Sequence, residues 1–152
     1  MDDLDKLIKR LGKLSGKAAV GTFTEEASMK LAFAEFGTRT APPRPVLSAT
    51  TDSSAGSIDR AIANQVGQVL DGAERTGDEI MGKVGQDLRE LVVEQIQGGL
   101  PKPLKPATLR GRRARGNTDT RPLIDRTLLE PGERALVDSI EVKVGADAEG
   151  DD

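Results

Sequence analysis

Near the N-terminus, apolar residues recur at intervals of three and four, which is the spacing of one face of an α-helix. The stripe consists of Leu4, Leu7, Ile8, Leu11 and Leu14. Aspartates occupy the first turn and basic residues follow, an order that suits the helix dipole. We predict an amphipathic helix that ends between Gly12 and Gly16. We expect its stripe to pack inside the protein rather than lie on a membrane, because it is short and has no aromatic residue.

A short strand and a second helix are predicted next. Residues 17–23 are small and partly β-branched, which favours a strand. Thr24 is a suitable N-cap for a helix that Gly37 closes. The segment 39–45 contains three prolines, which fix the backbone and remove donors. We therefore expect a stiff arm or an edge connector after this helix.

Helical spacing returns in the middle of the chain. A polar stretch from Ser48 to Gly56 is followed by apolar residues at helical intervals between 58 and 70. A further stripe runs from Ile80 to Ile96. We predict two long helices here, with the polar stretch outside them.

The boundaries of these two helices depend on glycines and on a capping box. Thr76 and Glu79 have the spacing at which each side chain caps the other's backbone N–H. Paired glycines at 98 and 99, followed by a proline, are a strong stop signal. Gly72 and Gly77 either separate the two helices or lie inside one long bent helix over 57–97.

The composition changes between residues 100 and 121, where basic residues and prolines dominate. Only one acid, Asp119, accompanies seven cations: Lys102, Lys105, Arg110, Arg112, Arg113, Arg115 and Arg121. We predict a long basic loop, which at this length is either mobile or ordered by a partner. In the last element, 136–144, apolar and charged residues alternate as in a half-exposed strand.

Together these elements predict an α+β fold. The early and final strands form a small antiparallel sheet that packs against the long helices, with the long basic loop between elements. We expect a single domain over 1–145 and an acidic, disordered tail over 146–152. Four acids lie in the last six residues, so the remainder of a chain whose formal net charge is -3 is close to neutral.

Composition then excludes several kinds of chemistry. The chain of 152 residues has no Cys, His, Tyr or Trp, so disulfides, thiolate nucleophiles, the usual neutral-pH base and the commonest metal ligand are missing. No base and nucleophile are paired in the sequence. We therefore expect no enzyme activity, no catalytic or metal site and no cofactor. Leu, Val, Ile and Phe make up about a quarter of the residues, enough to fold but with a thin core. A thin core gains from a partner that covers more apolar area, so we expect an oligomer.

Hydropathy and the first residues give an expectation about location. No run approaches the length of a membrane span, and the N-terminus is acidic where a signal peptide is basic. We expect a protein made and kept in a reducing, soluble setting.

The basic segment is the charge cluster best suited to a ligand. Seven cations could contact phosphates, but the segment lacks interleaved aromatics that would stack on bases. Docking on an acidic protein surface, or lying close to DNA without reading its sequence, is favoured over specific nucleic-acid binding. The arginines also allow bidentate pairing with carboxylates of a neighbouring subunit. The candidate residues are Lys105, Arg110, Arg112, Arg113 and Arg115.

The most informative segment is LAFAEFGT at 31–38, followed by APPRPVL at 41–47. It resembles the neck or tail-completion proteins of tailed bacteriophages, including the family often called virion morphogenesis or minor tail proteins. In that family a helix ends in Glu-Phe-Gly-Thr and a Pro-x-Arg-Pro-aromatic-Leu arm follows. Residues 35–38 and 43–45 match, whereas Val46 stands where an aromatic is commoner.

Later landmarks of the family also occur in order: KPATLR at 105–110, PLID at 122–125 and the Ser139-Ile140 pair. The chain departs from the family after Asp125, where the family continues Thr-Gly-x-Leu directly into Ser-Ile. Here additional residues over 126–133 predict a longer turn.

The resemblance implies a structural virion protein at the head-tail junction, synthesised in the host cytoplasm. Its copies would form a ring, sixfold by resemblance, that joins the connector to the tail tube or terminator proteins. DNA would only pass through the channel, and no membrane is involved. Glu35 and Arg44 then become candidate interface residues, for which a solvated helix residue and a surface cation are equally good explanations. The alternative function is a small DNA-binding accessory protein that uses the arginine-rich loop, which would shift DNA with a steep salt dependence.

Overall fold

A computed structural model of the chain describes residues 2–98, 103–124 and 134–148. Within these residues the protein is α+β, with five helices and a two-stranded antiparallel sheet. The helices are α1 (Asp3–Leu11), α2 (Glu25–Phe36), α3 (Leu47–Leu70), α4 (Gly77–Gly98) and α5 (Pro106–Ala114). The strands are β1 (Ala18–Gly21) and β2 (Glu141–Val144), and 3-10 turns cover Leu136–Ser139 and Gly145–Ala148.

The described residues divide into two compact units. The first, here called the sheet unit, comprises 2–20, 53–89 and 142–148. The second, the arm unit, comprises 21–52, 90–98, 103–124 and 134–141. Helices α3 and α4 each contribute residues to both units. The single domain expected over 1–145 stays a prediction.

In the sheet unit, glycines of α4 let the two strands approach the helix. A Cβ atom on Gly85 would lie 2.7 Å from Val142 Cγ1 and 3.3 Å from the Ala18 side chain. One on Gly82 would lie 3.4 Å from Val144 Cγ2. Glycine in a helix costs about 1 kcal/mol relative to Ala. Here the cost is offset by close packing of the sheet on the helix.

A second close approach joins the turn after α1 to the first residue of α4. The Gly77 N–H donates to the Lys13 carbonyl at 2.7 Å. A Cβ atom on Gly16 would lie 2.2 Å from the Gly77 carbonyl carbon, and one on Gly77 would lie 2.3 Å from Ser15. Only glycine fits at either position. Asp78 adds a side-chain contact, because its Oδ1 accepts from the Lys17 N–H at 3.3 Å.

The arm unit has its own core. Leu31 and Ala34 of α2 are buried together with Leu136, and Leu47 and Leu123 pack against them. Val46 and Ile140 are also fully buried. These aliphatic contacts fix α2 against the 3-10 turn Leu136–Ser139.

Several expectations are confirmed. Thr24 caps α2 by accepting from the Ala27 N–H, and Gly37 ends that helix with φ +75°. Glu79 accepts from the Thr76 N–H at 2.7 Å and the Thr76 hydroxyl accepts from the Glu79 N–H at 3.2 Å, which is the capping box. Helices α3 and α4 are separate, so the alternative of one long bent helix is wrong.

The polar stretch 48–56 is helical, which corrects the prediction. Helix α3 begins at Leu47 and runs through this stretch. The buried face continues upward from Val46 through Thr50 and Ser54, which are 2% and 9% exposed. The buried positions of this helical stretch are occupied by small polar residues. A pattern of apolar residues therefore does not reveal its helical spacing.

The predicted long basic loop is also wrong for residues 106–114, which form α5 with Pro106 in its first turn. The final strand is shorter than predicted, because Leu136–Ser139 is a 3-10 turn and only Glu141–Val144 is extended. In the predicted acidic tail, 146–148 belong to a 3-10 turn. Residues 149–152, Lys102 and the predicted longer turn over 126–133 lie outside the described residues.

Three residues of the apolar stripe of α1 are not packed inside the chain, contrary to expectation, whereas Leu7 and Leu14 are half-buried. Leu4, Ile8 and Leu11 are 60%, 58% and 42% exposed, and the helix has no buried residue. Periodicity identified the helix correctly. It could not show which way the stripe faces.

The glycine contact between the turn after α1 and α4 gives a first prediction. Gly16→Ala or Gly77→Ala should lower the free energy of unfolding by about 3 kcal/mol, because backbone atoms occupy the space of the new methyl group. Gly67→Ala is the matched control, since a Cβ atom there meets nothing within 4 Å. The control should be neutral or stabilise by up to about 1 kcal/mol. Urea unfolding followed by circular dichroism measures all three, and equal stabilities of G16A and G67A would contradict the close approach.

Candidate functional site

The candidate site is built around the proline arm, residues 38–46, which connects α2 to α3. The arm folds back at Gly37, where a Cβ atom would lie 2.7 Å from Pro43 N and 2.9 Å from the Ala41 carbonyl. The Thr38 N–H donates to the Ala41 carbonyl at 2.9 Å, and the Ala41 N–H donates to the Thr38 hydroxyl at 3.1 Å. The arm is therefore a tight, internally bonded turn rather than an extended strap.

Glu35, near the end of α2, caps the start of α3. Its Oε1 accepts from the Val46 and Leu47 N–H groups at 2.7 and 2.5 Å, and its Oε2 accepts from the Ser48 hydroxyl at 2.8 Å. The first N–H groups of a helix have no partner within it, and the dipole favours a negative charge there. The sequence predicted an interface residue or a solvated one. In the structure both carboxylate oxygens are used within the chain.

Arg44 and Lys105 hold the arm to the segment that leads into α5. The Arg44 N–H donates to the Ala34 carbonyl at 2.7 Å, and its guanidinium donates to the Pro103 carbonyl at 3.1 Å. Lys105 Nζ donates to the Thr40 carbonyl at 2.9 Å. Three of the predicted site residues, Glu35, Arg44 and Lys105, are thus brought together around the arm.

Arg112 is the buried member of the basic segment. It is 5% exposed, and one of its guanidinium nitrogens donates to the carbonyls of Asp119 and Arg121, at 3.1 and 2.7 Å. A buried cation is costly unless it is hydrogen bonded in this way. Its role in the structure is to fold the chain after α5, and it is not accessible to a ligand.

Arg121 is also used internally. Its guanidinium forms a forked pair with the Asp119 carboxylate, including an Nη2 to Oδ2 distance of 2.6 Å, and donates to the Gln97 carbonyl at 2.8 Å. Hydrogen bonds from the Arg121 side chain and backbone N–H lower the pKa of Asp119 to about 2. The pair joins the segment after α5 to the end of α4.

Three predicted site residues remain on the surface: Arg110, Arg113 and Arg115 are exposed on α5 and its C-cap. Cations at this end of a helix are favoured by its dipole. The described part of the basic segment thus presents a small arginine patch, less than half of the cluster seen in the sequence.

Sequence reasoning missed an exposed apolar face on α2. Met29, Phe33 and Phe36 are 49%, 53% and 83% exposed, whereas Ala27, Leu31 and Ala34 are buried. Both sets have the same spacing of four and three residues. The doubled stripe is the signal that could have revealed it, since one helix face cannot contain both sets.

Within the described residues, no group of three or more acidic side chains is placed to hold a metal ion. None of the helices described has an apolar stretch long enough to span a bilayer. Compared with known proteins, the chain matches no family model, no curated protein and no solved structure. The proposals that follow depend on the geometry of the residues and on the resemblance of the sequence landmarks.

The Glu35 cap gives a second prediction. Glu35→Ala should lower the free energy of unfolding by about 2 kcal/mol, because Val46 and Leu47 lose the acceptor of their N–H groups. Glu35→Gln keeps one acceptor oxygen and should cost less. Glu94→Ala, an exposed position on α4, is the control and should stay within about 0.5 kcal/mol of the parent. Equal loss in E35A and E94A, measured by urea unfolding, would refute the cap.

The Asp119–Arg121 pair gives a third prediction, on pH. The pKa of Asp119 is lower in the folded chain than its ordinary value of 3.8, so its contribution is present above that value and is lost as pH falls toward 2. Asp119→Asn should cost about 1 kcal/mol at pH 7, after allowance for the exposure of Arg121.

The check is urea unfolding of the parent and D119N at pH 7, 4 and 3. The difference in the free energy of unfolding between the parent and D119N should decrease below pH 4. Asp59→Asn, exposed on α3, is the control and should show no such trend. A difference that is constant over this range would show that the ionised carboxylate is not what stabilises the segment.

Proposed function

We propose that this chain is a structural subunit of the head-tail junction of a tailed bacteriophage. Its copies associate into a ring that joins the connector to the tail and leaves a channel for DNA. Its work is association and not turnover. The landmarks at 31–47, 105–110, 122–125 and 139–140 support the proposal by resemblance.

The observation that carries the proposal is the placement of the apolar residues. All three phenylalanines of the chain are more than a third exposed, the least being Phe23 at 37%. Leu4, Ile8 and Leu11 of α1 are exposed as well. Aromatic side chains contribute most to burial when a core is available, and contiguous exposed apolar patches mark interaction surfaces. A subunit that is completed by its neighbours explains both facts.

The proline arm supports the same function through its rigidity. The residues that carry the resemblance, from Glu35 to Pro45, form one bonded turn that fixes α2 to the start of α3. A ring closes only if each subunit holds its contact surfaces at a constant angle. A turn fixed by side-chain and backbone hydrogen bonds meets that requirement better than a flexible linker.

The exposed arginines of α5 are the proposed docking patch for the neighbouring virion component. Lys105, Arg112 and Arg121 donate to groups of their own chain, which weakens the case for an extended DNA-binding surface. Arg110, Arg113 and Arg115 are exposed on α5 and its C-cap, where they can pair with carboxylates of a partner, for which guanidinium geometry is well suited.

The test of the function is assembly. Purified protein should form ring-shaped particles in negative-stain electron microscopy. A phage that lacks the gene should accumulate separate heads and tails, which the intact chain restores. Normal virions without the gene, or a monomer that shifts DNA with a steep salt dependence, would refute the proposal.

The arginine patch gives a fourth prediction. The variant Arg110→Ala/Arg113→Ala/Arg115→Ala should keep its fold, yet reduce the yield of joined particles by roughly tenfold or more, as expected for the loss of more than 1.4 kcal/mol of binding. The control, Arg60→Ala/Lys83→Ala, removes exposed cations from α3 and α4. Joining that is equally affected by both variants would show that net charge, rather than the patch, matters.

A further inference from the structure

Helix α1 leaves most of its apolar face uncovered by its own chain, with only Leu7 half-buried. Its basic side, Lys6, Lys9, Arg10 and Lys13, lines a groove of about 310 Å³ together with Glu74 of the turn before α4. On the opposite side Leu4, Ile8 and Leu11 are exposed. An amphipathic helix normally places its stripe against the core. The orientation of α1 therefore leaves an apolar surface that its own chain does not cover.

Helix α2 also has an apolar face that its own chain leaves exposed. Its inner face, Ala27, Leu31 and Ala34, is buried in the arm unit. Its outer face, Met29, Phe33 and Phe36, is exposed. Each exposed stripe, on α1 and on α2, presents on the order of 300 Å² of apolar surface, the size at which patches on soluble proteins are commonly functional.

We infer that the Leu4–Ile8–Leu11 face of α1 in one copy packs antiparallel on the Met29–Phe33–Phe36 face of α2 in the next copy. Both stripes follow the same spacing of four and three residues, so each is about 10 Å long at 1.5 Å rise per residue. Aliphatic residues of α1 would lie between the larger side chains of α2. The contact stands on the structure, and its role in closing a ring rests on the proposed function.

Charge sets the direction of the contact. The last turn of α1 contains Lys9 and Arg10, and the first turn of α2 contains Glu25 and Glu26. The last turn of α2 has no basic residue. An antiparallel contact of α1 with α2 places the basic end of one beside the acidic end of the other, with helix dipoles opposed. Two α2 helices packed antiparallel would place glutamates beside a turn without a cation at both ends, whereas the α1–α2 contact places acids, Asp3 and Asp5, beside such a turn at one end only.

The number of faces left exposed also favours a contact between α1 of one copy and α2 of another. A symmetric contact of α1 with α1 would leave the phenylalanines exposed, and a contact of α2 with α2 would leave the α1 stripe exposed. One heterologous contact covers both faces, and repeated head-to-tail contacts of this kind close into rings or continue as filaments. The occupant of each face is therefore the other face of a second copy.

The experiment uses two variants of the full chain. Ile8→Gln/Leu11→Gln removes the α1 face, and Phe33→Gln/Phe36→Gln removes the α2 face; all four positions are exposed, so the fold should persist by circular dichroism. Each variant alone should be monomeric in light scattering, with association weakened at least about a hundredfold by the loss of two interface anchors. Mixed, they should form a heterodimer and nothing larger, because one intact junction remains. Glu94→Gln is the control and should assemble as the parent does.

Direction is tested by crosslinking, since the chain has no cysteine of its own. Oxidation of Leu4→Cys protein mixed with Phe36→Cys protein should give a disulfide-linked dimer, as should Leu11→Cys with Met29→Cys. Leu4→Cys with Met29→Cys should not. Crosslinking of the last pair in preference to the other two would overturn the antiparallel contact.

The remaining outcomes overturn the inference in distinct ways. A variant that assembles like the parent excludes its face, and two monomeric variants that do not form a heterodimer exclude a heterologous contact. A monomeric parent that binds vesicles of anionic phospholipid through α1 would assign that face to a lipid surface. If the variants lose association and a phage that lacks the gene still joins heads to tails, the contact stands and the proposed function fails. If the interface variants assemble normally in a phage that needs the gene, the proposed function stands and the contact is excluded.

Discussion

The arm unit depends on one carboxylate. Glu35 satisfies backbone N–H groups at the start of α3 that no residue within that helix could satisfy. The helix needs this help, because its first turns contain small polar residues and its buried face there is Thr50 and Ser54 rather than leucine. The same cap fixes the direction in which the chain leaves α2. Gly37 supplies the reversal and the fully buried Val46 anchors the far end of the arm.

A scarcity of large apolar residues shapes both units. The sheet unit buries Val69, Ile80 and Val84 and adds close contacts at glycine, at Gly85 against β2 and at Gly16 against Gly77. The arm unit buries alanine and leucine on the inner face of α2. The three phenylalanines, all in the arm unit, stay more than a third exposed. Because its aromatic residues lie on the surface, the chain is stabilised by their burial only when it associates. This links the thin core to the proposed function.

The sequence was informative where a local rule sets the structure. The caps of α2 and α4 come from side chains that hydrogen bond to adjacent backbone groups, so they could be predicted, whereas the glycines left open whether α3 and α4 are separate. The start of α3 could not, because its cap comes from Glu35 in another helix and its inner face is polar. Helix α5 was hidden by its arginines. The orientation of α1 and the exposed second face of α2 could not be predicted from periodicity. Periodicity gives the spacing of residues on a face but not what covers that face.

The arginines show why charge counted along a sequence is a poor guide to a surface. Arg112 donates hydrogen bonds to backbone carbonyls, and Arg121 pairs with Asp119. Both therefore order the chain after α5 rather than bind phosphates. Removing such cations would disturb the fold before it affected any partner. The patch that remains is short, follows a helix end and lies in the arm unit that also presents the phenylalanines. The described residues present guanidinium groups on α5 and aromatic groups on α2, which are residue types enriched in protein interfaces.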